Sequence, residues 1–216
     1  MKIYKYNNHE DYVKAQEEGV HRHPHPDVHD SINYEWVQRQ DVEFIRDNVI
    51  APYFNELGIV PKYGICHGAK LGKENRWFEE ATGMDFIGTD LIVETNEKMK
   101  LIQWDFHEIK EEWKNKFDVI YSNALDHSYS PPLALDRWTS SLSPNGICIL
   151  EWSENSSEEN SNHIDPFGAS LQEYKLMIQA SKGEIVSELA FKSVVDVPPY
   201  RRFQDKVFIT FKTERK

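Results

Sequence analysis

Cysteine is scarce in this chain. There are two in 216 residues, Cys66 and Cys148, each inside an apolar run. Their spacing matches no metal motif and no disulfide framework, so a reduced, cytoplasmic setting fits best. Basic residues are also outnumbered: 25 Lys and Arg face 36 Asp and Glu, a formal net charge of −11. A field of that sign disfavours nucleic-acid backbones and anionic membranes. The densest cationic pair, Arg201-Arg202, is too small to form a nucleic-acid surface. No run approaches the ~20 apolar residues that span a bilayer, and the first residues lack the apolar core of a signal peptide. What remains is a small-molecule partner, with no nucleic acid and no membrane. Composition leaves the oligomeric state open.

The length suits one well-packed domain and is short for two. Residues 1–33 are polar and rich in His, Glu and Asp, an extended or loosely helical lead-in to a single domain over 34–216. His21, His23, His25 and His29 cluster there beside Asp27 and Asp30. With no distant fourth ligand in view, no metal site is assigned. The segment reads as a flexible polar stretch or a lid over a pocket. From Tyr34 to Leu57 apolar residues recur at helical spacing, with Pro52 a kink or break.

The period then changes. Short apolar runs at about 61–66, 85–89, 101–104, 117–122 and 146–152 alternate with helix-compatible segments at 72–81, 92–99, 107–115 and 131–141. That alternation predicts a parallel sheet covered on both faces, with ligands along the C-terminal edge of its strands. Residues 153–164 are a polar loop, and Asp165-Pro166-Phe167-Gly168 a turn. Ser170 with Glu173 three residues on forms a capping box for a helix over about 171–180. Strands at about 184–190 and 206–212 close the chain as a hairpin, because their connection is too short for a helical crossover.

Four places carry the candidate chemistry. The first is Tyr63-Gly64-Ile65-Cys66-His67-Gly68-Ala69-Lys70-Leu71-Gly72, a strand that ends in Gly68 and Gly72 where backbone can approach a ligand. It has neither G-x-G-x-G nor a G-K-S/T, which makes a nucleotide-triphosphatase loop a poor reading. Asp90 ends the second run, where a carboxylate can accept hydrogen bonds from a ribose diol. Asp105 follows the third; it or the Phe106 backbone can meet an adenine ring, or Asp105 can cap a helix over 106–114. Asn123, Asp126 and His127 lie at or past the end of the fourth. His127 is the general-base candidate by residue type, and Asp126 can orient it or touch substrate. Glu151, in an apolar strand, must either pair or face the pocket.

Taken together these residues resemble the class I S-adenosylmethionine-dependent methyltransferases, over 60–152 closely and through 212 loosely. Gly68 and Gly72 match the outer glycines of the family's first motif. Asp90 matches its ribose-binding acid, Asp105 the acid near adenine, and Asn123 the end of the fourth strand. Leu142-Ser143-Pro144-Asn145-Gly146 resembles the family's L-x-P-G-G turn into strand five. The resemblance implies a Rossmann-like fold: a mostly parallel seven-stranded sheet, helices on both faces, and a C-terminal antiparallel hairpin. It also implies S-adenosylmethionine as cofactor, a methyltransferase activity, and cofactor contacts from His67, Gly68, Gly72, Asp90, Asp105, Phe106 and Asn123. O- or N-methylation of a small molecule with His127 and Asp126 as catalytic residues follows. Two departures stand out: Cys66 where the family has an acid, and Lys70 at the middle glycine. The competing readings are a noncatalytic binding protein of the same fold, supported by those departures, and a nicotinamide-dependent oxidoreductase.

Overall fold

The computed structural model describes residues 1–21, 36–93, 99–197 and 200–213. The run Tyr63–His67 forms β2 and Phe117–Ser122 forms β5, paired in parallel at the centre of the sheet. Asp85–Asp90 (β3) and Leu101–Gln103 (β4) extend it on one side, Leu142–Ser153 (β6) on the other, all parallel. Gly183–Val197 (β8) and Tyr200–Thr213 (β9) form the closing hairpin. β9 inserts antiparallel between β6 and β8, giving the order β4-β3-β2-β5-β6-β9-β8. This is the seven-stranded, mostly parallel arrangement expected. The hairpin is longer than its sequence signal: Val197 pairs with Tyr200, leaving only Pro198 and Pro199 between.

Near-continuous apolar strands arise because both faces of the sheet are buried. In β6, Ile147 and Ile149 point to one core layer and Cys148 and Leu150 to the other. β5 does likewise, with Val119 and Tyr121 opposite Ile120. The first layer lies under helices α2 (Arg39–Ile45), α3 (Ala51–Leu57) and α4 (Lys73–Thr82). The second lies under α5 (Pro131–Ser141) and α6 (Leu171–Ala180), where Trp138, Tyr174 and Ile178 are buried.

Pro52 does not break its helix. The turn Arg46–Ile50 is π-helical, joining α2 to α3, and the Ala51 N–H reaches back to the Arg46 carbonyl. Widening the preceding turn absorbs the hydrogen bond that proline cannot donate. The capping box at Ser170 and Glu173 forms as expected. The helix expected over 107–115 does not: a single 3₁₀ turn, Glu111–Trp113, stands there. Asp105 takes the His107 N–H, and the Trp104 indole takes the Glu108 carbonyl, so side chains claim the backbone groups a helix would use. Ile92 and Val93 are not helical, and 94–98 lie outside the described residues.

At the start of the chain, Lys2–Ile3 (β1) pairs antiparallel with Phe167–Gly168 (β7), so the segment read as a turn is a short strand. His9–His21 is a thirteen-residue helix, α1. His23, His25 and His29 lie outside the described residues.

Candidate active site

The loop from β2 to α4 is shaped by three residues with left-handed backbone: Gly68 (φ 75°), Lys70 (φ 46°) and Gly72 (φ 72°). Gly68 must be glycine for packing as well, since a Cβ there would sit 2.3 Å from that of Ala124. Lys70 holds a left-handed backbone without being glycine, at the steric expense a side chain brings. The loop is tied to the end of β3. Gly68 and Ala69 donate to the Thr89 carbonyl at 2.8 and 2.9 Å. Asp90 accepts the Lys70 N–H at 2.8 Å and the Ile92 N–H at 3.0 Å. Burial raises the Asp90 pKa in spite of these bonds.

Beyond this loop, along the C-terminal edge of β2, β3, β5 and β6, opens a cleft of about 550 Å³. That is ample for a nucleoside-bearing ligand. Gly68, Asp90, Asp105, Phe106, Asn123, Asp126 and His127 all line it. His67 and Gly72 do not. His67, the last residue of β2, turns inward: it stacks on Trp138 with ring centroids 5.1 Å apart and shares a 2.8 Å hydrogen bond with Thr89 Oγ1. Burial drives its pKa to about 3, so it stays neutral. Gly72 is the N-cap of α4, packed against Met99.

Asp105 is heavily engaged. One oxygen accepts the His107 N–H at 2.9 Å and faces its Nδ1 at 2.6 Å; the other meets His9 Nε2 at 3.0 Å. Burial would raise its pKa, but the two histidines outweigh it and hold it at about 2. His107 is in turn fixed by Ser128 Oγ at 2.7 Å and stacks on Tyr129.

His127 lies across the cleft. Its Nδ1 is 3.0 Å from Gln16 Oε1 and 3.6 Å from Asp165 Oδ1. Burial alone would lower its pKa, yet the charges of Asp126, Asp165 and Asp90 turn the net displacement upward. Asp126 moves up as well, to about 6, because its burial outweighs the attraction of His127. Oδ1 of Asp126 and Oδ1 of Asn123 are sealed from solvent with no hydrogen-bond partner among the described residues.

Glu151 both pairs and faces the cleft. Lys206 lies 3.2 Å from it, Tyr121 donates to it at 2.8 Å and the Trp36 indole donates to its other oxygen. Lys206 also pairs with Asp41 at 2.7 Å, and all three are buried.

Several lining residues escaped the sequence reading. On α1, Tyr12, Gln16 and Gly19 face the cleft, and His9 joins them through Asp105. Their spacing follows one helical face, a signal that was present but sat in a stretch too polar to suggest a packed helix. Cys66 is buried in the core, so no acid stands at the end of β2. Glu74, in the first turn of α4, lines the cleft instead and is 6% exposed.

No protein-family profile matches the chain, and no curated protein matches it. Many solved structures do. One is the 1,6-didemethyltoxoflavin-N1-methyltransferase of Burkholderia thailandensis, bound to 1,6-didemethyltoxoflavin and S-adenosylhomocysteine. It is 17% identical with a TM-score of 0.59, over 95% of this chain and 87% of that one. A SAM-dependent methyltransferase from Archaeoglobus fulgidus gives 15% and 0.55, over 81% and 95%. A TehB-like SAM-dependent methyltransferase from Corynebacterium glutamicum gives 13% and 0.53, over 82% and 98%. The chain has the class I methyltransferase fold. At these identities the likeness speaks for the fold, and the chemistry has to be argued from the cleft itself.

Proposed function

We propose that this chain is an S-adenosylmethionine-dependent methyltransferase that modifies a small molecule at nitrogen or oxygen. The observation that carries the reading is the joint presence of Gly68, Asp90, Phe106 and Asn123 on one cleft at the C-terminal sheet edge. These residues suit an adenosyl ligand. The loop at Gly68 admits close backbone approach, and Asp90, which accepts two backbone N–H groups, retains lone pairs for ribose hydroxyls. The bound cofactor supplies an activated sulfonium methyl group.

The chain's own residues hold the acceptor, exclude water and move a proton. Gln16 fixes the work of His127. Its Nε2 donates to the Ile164 carbonyl at 2.8 Å, so its Oε1 is left to accept from His127 Nδ1. The basic nitrogen is then Nε2, the atom a general base needs. Tyr12, Gln16 and Gly19 of helix α1 line the cleft beside it. The toxoflavin enzyme, named for N1-methylation of a small acceptor, supports the same class of acceptor.

Titration calorimetry with S-adenosylhomocysteine tests the proposal. The wild-type chain should bind, and Asp90→Ala should lose ~1.5–3 kcal/mol, the size of a charge-assisted contact. No binding by the wild type would leave a noncatalytic protein of this fold as the better reading.

A further inference from the structure

We propose, building on the methyltransferase reading, that Lys70 stands in the loop from β2 to α4 in order to hold the carboxylate of the cofactor's aminoacyl arm. Four non-glycine residues among those described have left-handed backbone: Lys70, Lys100, Asn115 and Lys182. Each bears a steric cost that glycine would remove. Three of them are accounted for locally. Lys100 bridges Glu79 and Asp85 at 2.6 and 2.8 Å. Asparagine is one of the residues that visit this conformation readily. Lys182 directly follows the Ser181 cap of α6, where helices commonly end in a left-handed residue. Lys70 is the one of the four that lines the cleft.

The charge of the cleft gives that side chain a task. Glu74, Asp90, Asp105, Asp126, Glu151 and Asp165 all line it, and Lys70 is the only lysine or arginine among the described residues that does. The remaining basic side chain there, His127, lies 3.6 Å from Asp165 and adjoins Asp126 in sequence. A carboxylate that enters such a cleft is repelled by its acids and attracted at Lys70. Lys70 is partly exposed, so a ligand can reach it.

The position of Lys70 selects the anion. Its N–H donates to Asp90 Oδ2 at 2.8 Å, which anchors the residue beside the acid suited to the ribose, and its positive charge acts on that acid. From there a flexible four-carbon stem carries the ammonium along a bound adenosyl ligand. The adenine and ribose of such a ligand are neutral. Its one anionic group is the α-carboxylate of the aminoacyl arm, and a lysine ammonium meets a carboxylate in a charge-assisted hydrogen bond.

The test titrates the full chain with S-adenosylhomocysteine and with 5′-methylthioadenosine, which keeps the adenosine and the sulfur but lacks the aminoacyl arm. Lys70→Gln retains the left-handed side chain and removes its charge. Lys70→Gly removes the charge and the steric cost together. Both variants should bind S-adenosylhomocysteine about tenfold more weakly and 5′-methylthioadenosine within about twofold of the wild type, and Lys70→Arg should restore most of the difference. Lys70→Gly should also raise the urea midpoint, because glycine adopts the same backbone without a clash. Equal loss of the two ligands overturns the inference and leaves the methyltransferase reading in place, since Lys70 then serves Asp90 and the ribose end. Undiminished S-adenosylhomocysteine binding by Lys70→Gln overturns it as well. A wild-type chain that binds neither ligand removes both the inference and the methyltransferase reading.

Discussion

Gln16 Oε1 lies 3.0 Å from His127 Nδ1, linking helix α1 to the general-base candidate across more than one hundred residues of sequence. The Ile164 carbonyl orients the amide, so the contact fixes a single imidazole tautomer. Gln16→Leu should release that constraint. Nitrogen-15 chemical shifts of His127 in the neutral form should show Nδ1–H predominant in the wild type and mixed tautomers in the variant. An unchanged tautomer would remove Gln16 from this role.

His67 gives a pH prediction. Its folded pKa, about 3, lies below its ordinary value of 6.5 because the ring is buried. The folded chain therefore binds fewer protons than the unfolded chain between those values. Stability from this group is complete above pH 6.5 and is lost as pH falls towards 3, at up to ~1.4 kcal/mol per pH unit. His67→Phe keeps a ring against Trp138 and should flatten the acid limb of urea-unfolding stability between pH 6.5 and 4.5. An unaltered slope would refute it.

Asp126 acts with the opposite sign. Its folded pKa is raised to about 6 from 3.8, so its ionisation strains the folded state. The stability it allows is complete below pH 3.8 and declines as pH rises through 6. Asp126→Asn should be more stable than the wild type at pH 8, by a margin that shrinks towards pH 4. The same variant should lower the NMR-measured pKa of His127, since a carboxylate that raises it is gone. A rise would contradict the pairing.

Gly146 should be intolerant of any side chain. A Cβ at that position would lie 2.6 Å from the Phe117 carbonyl oxygen, a backbone atom that cannot swing aside. Gly146→Ala should destabilise by roughly 1–3 kcal/mol. Gly58→Ala, at φ 66° with nothing within 4 Å, should cost only the ~1–2 kcal/mol of left-handed backbone. Denaturant midpoints compare the two, and Gly146 should prove the more sensitive.

Lys206 is the fifth test. Lys206→Met leaves the buried Asp41 and Glu151 without their cation, and stability should fall by ~3–5 kcal/mol. Combining Lys206→Met with Asp41→Asn and Glu151→Gln should recover much of that loss, by the same urea titration.

The sheet was legible because its strands obey one simple rule. Where both faces are covered, residues such as Ile147 to Leu150 are apolar without interruption, and glycine or acid marks the end. Gly68, Asp90, Asp105, Asn123 and His127 could be placed on one edge for that reason. Side-chain direction at a strand terminus was not legible. His67 and Gly68 are neighbours, yet one stacks on Trp138 while the other lines the cleft. The expected helix over 107–115 failed because Asp105 and Trp104 compete for its backbone groups, a contest that propensity does not register. Helix α1 was underestimated because its buried face rests on hydrogen bonds to distant partners, with Tyr12 its main large buried side chain. The network around Lys206 joins β9 to β6 and α2, and no spacing in the chain announces it.

The antiparallel placement of β9 between β6 and β8 has a consequence during synthesis. β6 is finished at Ser153, but the strand that pairs with its outer side begins only at Tyr200. At ~5–20 residues per second, the nascent chain spends seconds with an apolar, hydrogen-bond-hungry border on display. Cys148 to Ser153, whose partners lie in β9, are the residues whose outer edge stays unpaired over that interval.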